Sequence, residues 1–433
     1  MSSHSQVDQF QREAAGFSLF WLLAANGVGL LLASLLLFPG LGKLLGPFTY
    51  GRWMPLHMEW QLYGWCSIPL VSLLVWWIAD EEERVRLQRR VLVLWSSGLV
   101  VGGLRWLGGE ASGKLFLSWY GLARFYWVYV LLAIWYILLQ PWWRRGHRHW
   151  LRLQGLMQGA TLLVLFSVPI ALWWTTGRDS YPPINPESGG ATGHSLLAST
   201  LGIVFMFGAL REWVLRLDMP PVWQRWLFWG YYGVCTMAYL GIEHGNASNE
   251  HLNQVFGLSL LCGWIPVFAV YFRGWARRPA VKPWLMSFLF WWTLLCISGV
   301  TTFLPQVLQV WKFTNGLVAH AHLAMAGMVT SFLLCLLGLF SERERVCWSN
   351  RLGFSIWNGA LLLMVVVLGI QGWREGLQPE VLWMRNGMTS FLYGLRWLAG
   401  LCLFGVSLGW CLCTAKEFKH EKLLKTHESK ELD

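Results

Sequence analysis

Eleven histidines punctuate a chain of 433 residues. Six of them, His57, His194, His244, His251, His320 and His322, stand inside or beside long apolar runs. Imidazole is the commonest side-chain ligand of haem iron, copper and non-haem iron. A single such residue serves equally well as a polar contact between helices, but an ionisable group inside a membrane is costly and tends to mark function. Two of the six form the triplet His320-Ala321-His322. Residues two apart on a helix point about 200° apart, so these rings face opposite sides and do not easily share one metal. Each can serve its own centre, and two haems flanking one helix is the natural arrangement.

The elements that position these residues follow from composition. The chain is 55% hydrophobic and only 13% charged, with a mean hydropathy of +0.43. A soluble domain of this length needs a charged skin, so lipid is the expected solvent. Thirty-two tryptophans suit membrane–water interfaces. The formal charge of +11 does not indicate nucleic acid, because the basic residues sit in short loops between apolar runs. The nine cysteines include no CxxC and no CxxCH, and read as packing. Residues 1–16 are polar and lack a signal-peptide pattern, so the first apolar run is expected to be retained.

Runs long enough to cross the hydrocarbon core as helices fall at 17–38, 55–79, 91–108, 122–140, 155–175, 194–215, 224–244, 253–272, 284–304, 313–340, 352–372 and 389–413. The expectation is an all-α, polytopic membrane protein: one twelve-helix domain over 1–433 ending in a short basic tail, 414–433. Twenty-four of the 34 basic residues lie in Arg12, the tail and the loops after the even-numbered spans, counting Arg211 and Arg225 at the span ends that flank one of these loops. That asymmetry places both termini in the cytoplasm of a bacterial-type inner membrane. With this orientation His57, His194 and His244 lie at the outer ends of spans two, six and seven. His320 and His322 lie about ten Å into span ten from the same side, at 1.5 Å per residue. Five histidines from four helices thus share one depth, with His251 in the adjoining loop.

These residues resemble the catalytic subunit of the haem-copper oxidoreductases, closest to the cbb-type oxidases and the nitric oxide reductases. The resemblance runs over most of the chain through the twelve spans and four local motifs. "FTYGRWMPLH" is similar to the segment carrying the first low-spin haem ligand, and "FTNGLVAHAHLAMAG" to the family's H-x-H. "TGHSLLASTLG" is similar to the span-six motif of a metal-binding histidine, and "YLGIEHGN" with "VFGLSLLCGWIP" to the span-seven segment that supplies the remaining metal ligands. Carried over, the resemblance implies His57 and His322 on a low-spin haem b and His320 on a high-spin haem b. It further implies a non-haem metal on His194, His244 and Glu243 beside the high-spin haem. Arg52, Arg374 and Arg385 are candidates for haem propionates, with interface anchoring equally open to them. Arg396, within span twelve, is expected to face the bundle.

Two departures bear on the substrate. The family's two adjacent span-seven histidines are Glu243-His244 here, and a carboxylate hardens the site, favouring iron over copper. Iron marks the nitric oxide reductases, although their usual glutamate, one turn after the span-six histidine, is Ala198 here. The oxidases' span-seven tyrosine is replaced by Met237, and Tyr239 is either a displaced substitute or a packing residue. The leading expectation is reduction of nitric oxide to nitrous oxide. The alternatives are a cbb-type terminal oxidase reducing O2 to water, a catalytically silent haem b electron-transfer subunit and, more remotely, a haem-free transporter. The electron donor is expected to be a c-type cytochrome subunit or soluble protein on the outer face, or quinol. Ser199, Thr200, Thr236, Ser298, Thr301 and Thr302 are polar enough for a proton route, and helix packing explains them as well.

Overall fold

Lipid offers no water to satisfy a backbone, so each apolar run must close its own hydrogen bonds. The computed structural model accordingly contains helices and, among the described residues, no strand. It describes residues 3–177, 180, 193–245, 247–248, 251–340, 346–382 and 386–431, with backbone alone for 3–6, 305 and 418–431. In chain order, α1 is Ser3–Leu37. Helix α2 joins Tyr50–Glu59, a π-helical turn Trp60–Cys66 and Ser67–Ile78. Helices α3, α4 and α5 are Arg84–Leu107, Gly121–Arg144 and Leu153–Thr175. Helix α6 joins Gly193–Ala209 to a π turn Leu210–Leu215, and α7 is Val222–Gly241. Helix α8 runs Leu252–Ser259, Leu260–Gly263 and Trp264–Phe272, the middle piece tightened to 3-10. Helix α9 is Lys282–Thr302, and α10 joins Asn315–His322, a π turn Leu323–Val329 and Thr330–Leu339. Helices α11 and α12 are Arg351–Leu377 and Gly387–Glu431.

Eleven helices among the described residues are long and apolar enough to cross a membrane, and the protein is an all-α multi-pass membrane protein. The expected twelfth crossing is α7, which is not one of the eleven. Its 20 residues would measure about 30 Å at 1.5 Å per residue, the thickness of the hydrocarbon core. It carries Gln224, Arg225 and the half-polar rings of Trp223, Trp226, Trp229, Tyr231, Tyr232 and Tyr239, which lowers its apolar character. The basic tail is not a separate element, since the backbone of α12 stays helical to Glu431.

The backbone divides into two compact units: Met1–Ser180 with Phe340–Glu342 and Leu403–Asp433, and Tyr181–Leu339 with Arg343–Cys402. In the first, tryptophans form a core. Trp119 and Trp127 stack at 4.4 Å and 3°, with Trp106 and Trp95 edge-on to them. Small residues make the room: a Cβ on Gly98 would lie 2.4 Å from Trp127, and one on Gly102 would lie 2.8 Å from Trp106 and Trp119. Helices in lipid associate through such close packing rather than through a hydrophobic drive. In the second unit Phe207, Phe268, Phe288 and Phe332 pack together between α6, α8, α9 and α10. There α10 and α11 touch backbone to backbone, since a Cβ on Gly372 would lie 2.0 Å from the Gly316 nitrogen.

Candidate metal centre

The second unit brings His194 and His244 together. His194 is the second residue of α6 and is buried. Its N–H is one of the donors that a helix start leaves without an intrahelical partner, and it donates to Gln254 Oε1 at 2.9 Å. Helix α7 stops at Gly241, earlier than the expected 244, because Ile242 is extended (φ −85°, ψ 158°) and Gly245 takes a left-handed φ of +82°. Glu243 and His244 therefore lie in a loop and not on a span. That loop is tied back by Gln254, whose Nε2 donates to the Glu243 carbonyl at 2.9 Å. The His194 and His244 rings meet at 5.1 Å between centroids, inclined by 51°. Tyr239 stands edge-on to the His244 ring at 4.9 Å and 85°.

A first-row metal binds imidazole nitrogen at about 2.0–2.1 Å, so two ligating nitrogens can be up to about 4 Å apart. Rings with centroids 5.1 Å apart are close enough for one nitrogen of each to come within that spacing. Glu243 is placed differently: its Oε2 lies 2.7 Å from Nδ1 of His251, both side chains being about half exposed. Among the described residues, His194, His244 and Glu243 form no trio whose ligand atoms all lie within 4.8 Å of one another. The geometry is a two-imidazole site with a carboxylate alongside, held by a third histidine.

His320 and His322 sit in the first piece of α10. Thr314 caps this helix, its side chain accepting from the Gly316 N–H at 3.2 Å. The Glu375 carboxylate takes the Asn315 N–H at 2.8 Å and its amide Nδ2 at 2.6 Å. Gln371 also donates to Glu375, and Arg396 donates to Asn315 at 3.2 Å, so Arg396 faces the bundle as expected. The His320 Nδ1 lies 3.0 Å from the Ser298 hydroxyl of α9. The His322 Nδ1 lies 2.8 Å from the Val318 carbonyl. A carbonyl only accepts, so Nδ1 of His322 carries the proton and the lone pair is on Nε2. Haem-binding histidines are held in this way, one nitrogen oriented by a carbonyl and the other presented to iron.

The first unit holds His57 on α2, two residues after Pro55 and just before the π turn at Trp60. Its Nδ1 lies 2.8 Å from the Ala25 carbonyl of α1, which again puts the lone pair on Nε2. Gly29 makes room for the ring, since a Cβ there would lie 2.7 Å from His57 Cε1. His57 and His322 are thus oriented alike, each through Nδ1 on a backbone carbonyl and each within its own unit. Of the arginines, Arg52 donates to the Leu107 carbonyl at 3.1 Å. Arg374 is half-buried on α11 next to Glu375, and Arg385 lies outside the described residues.

Sequence reasoning did not single out Gln254 or the pairing of His251 with Glu243. A glutamine three residues after a loop histidine, inside an apolar run, was the available signal: a buried carboxamide must find partners. The π turns after His57 and His322 have no signature in residue type, although such turns concentrate at functional sites. In comparisons with known proteins, no family model and no curated sequence matches this chain.

Proposed function

We propose that the protein is a membrane oxidoreductase of respiratory electron transfer that reduces nitric oxide to nitrous oxide, with both termini in the cytoplasm. The observation that carries this reading is the meeting of the His194 and His244 rings at 5.1 Å, in the same unit as His320 with its Nδ1 oriented by Ser298. In this reading the sequence resemblance alone makes His57 and His322 ligands of a low-spin haem b and His320 the ligand of a high-spin haem b. His194 and His244 hold a non-haem metal, iron in preference to copper, with Glu243 as its oxygen ligand once the carboxylate turns from His251. When bound, the haems would supply electron transfer and the metal a Lewis acid that holds a second substrate molecule.

The chain's own contribution is orientation. Ala25 and Val318 set the tautomers of His57 and His322, Ser298 orients His320, and Gln254 spans the two metal-binding segments. Packed helices exclude water from the buried His194. Electrons would come from a c-type cytochrome subunit, a soluble donor or quinol.

A second reading, O2 reduction by a cbb-type oxidase, is favoured by one contact: Tyr239 stands edge-on to His244, where a tyrosine could supply an electron and a proton. One experiment separates the two. Purified protein is analysed for haem, iron and copper, and its NO and O2 consumption are measured on the same sample. Two haems b, one non-haem iron and NO turnover exceeding O2 turnover are expected. Copper with rapid O2 uptake and negligible NO turnover selects the oxidase, and absence of a CO-binding haem rejects both.

A further inference from the structure

Gln254 is 1% exposed and lies on the first, otherwise largely apolar turns of α8. Both ends of its carboxamide are used. Oε1 accepts from the His194 N–H and Nε2 donates to the Glu243 carbonyl, each at 2.9 Å; Asn253 Oδ1 is a longer contact of Nε2 at 3.4 Å. The orientation of the amide follows from its partners, because a peptide N–H only donates and a carbonyl only accepts. Gly193 is needed for the approach, since a Cβ there would lie 2.8 Å from Oε1 and 3.0 Å from the Gln254 Cβ. The donor it satisfies belongs to His194 itself, and the acceptor belongs to the residue before His244. One side chain therefore ties the start of α6 to the loop after α7, and these are the two segments whose imidazoles face each other.

We propose that Gln254 is a positioning residue that sets the separation of the His194 and His244 imidazoles, and with it the affinity and geometry of the non-haem metal. This rests on the reading of those two histidines as metal ligands. Gln254 touches neither ring in the hydrogen bonds described; it acts on the backbones that carry them. Hydrogen-bonding partners that orient metal ligands commonly change metal affinity by about 10–100-fold when removed.

The test uses the full-length protein, stripped of loosely held metal by chelator and titrated with Cu2+ as the probe. Wild type is compared with Gln254→Leu, which removes both bonds, and with Gln254→Glu. The latter keeps the volume and the acceptor for His194 but cannot donate to the Glu243 carbonyl. The expected result is a loss of Cu2+ affinity of about 10–100-fold in both variants. The copper hyperfine pattern in the electron paramagnetic resonance spectrum should change, while haem per chain stays at the wild-type value. Affinity within twofold of wild type, with an unchanged spectrum, overturns the proposal. Loss of haem together with copper in both variants also overturns it, because the role is then general to the fold. Wild type that binds Cu2+ no better than His194→Ala overturns the reading of the site beneath it, a result separable from the other two.

Discussion

Glu243 Oε2 meets Nδ1 of His251 at 2.7 Å, in a loop whose next residue, His244, turns its ring toward His194. The carboxylate thus has a partner of its own beside the imidazole pair. If Glu243 serves the metal, His251 competes with the metal for it. Replacing His251 with Ala should then raise Fe2+ affinity several-fold, and Glu243→Gln should lower it while sparing Cu2+, since the harder carboxylate oxygen favours iron. Competition titrations with the two metals measure this. Equal Fe2+ affinity in wild type, His251→Ala and Glu243→Gln would show that the carboxylate takes no part in binding.

The Ser298 hydroxyl lies 3.0 Å from His320 Nδ1, and Gly299 beside it would place a Cβ at only 3.6 Å from the same ring. The hydroxyl is the hydrogen-bond partner of that ring nitrogen. On the proposed reading of His320 as a haem ligand, Ser298→Ala should retain haem yet shift the iron–histidine stretching band of the reduced high-spin haem in resonance Raman spectra, because the second nitrogen's partner tunes ligand basicity. The low-spin optical band should not move. An unshifted stretching band would remove Ser298 from the site.

The helical architecture was legible because apolar runs of membrane length leave few alternatives, and eleven of the twelve expected spans fall on helices long and apolar enough to cross a membrane. The α7 boundary was not. Glu243 and His244 continue the apolar run in one dimension, but Gly245 at φ +82° and extended Ile242 take them off the helix. Facing relations such as His194 with His244 depend on backbone placement 50 residues apart, which spacing along one helix cannot supply. The tryptophans show a different limit. The general preference of tryptophan for the interface says nothing of Trp106, Trp119 and Trp127, which are buried in a slot opened by Gly98 and Gly102, four residues apart on α3.

Two glycines on α11 separate packing from helix propensity. A Cβ on Gly372 would lie 2.0 Å from a backbone nitrogen and 2.6 Å from the Gly316 Cα, neither of which can move aside as a side-chain tip does. Nothing lies within 4 Å of a Cβ on Gly359. Gly359→Ala should therefore be neutral or stabilise by up to about 1 kcal/mol, as expected for alanine in a helix. Gly372→Ala should lower the thermal midpoint in detergent by separating α10 from α11 and, on the proposed reading of His320 and His322, release haem. Equal midpoints for the two variants would refute the backbone contact.

Gly29 poses the same contrast at the other candidate ligand. It lies within α1, where alanine is favoured over glycine by roughly 1 kcal/mol, so local propensity predicts a gain on substitution. The side-chain contact predicts the reverse, since a Cβ would stand 2.7 Å from Cε1 and 2.9 Å from Nδ1 of His57. The ring cannot retreat without giving up its 2.8 Å contact with the Ala25 carbonyl, and that contact holds Nε2 as the lone-pair nitrogen. Gly29→Ala should thus leave the helical circular-dichroism signal unchanged while lowering haem per chain to about half, if His57 serves one haem of two. His57→Ala should give the same haem content, and Gly29→Ala in that background should cause no further loss. Full haem content in Gly29→Ala would mean that the ring orientation set by Ala25 is not what holds the low-spin haem.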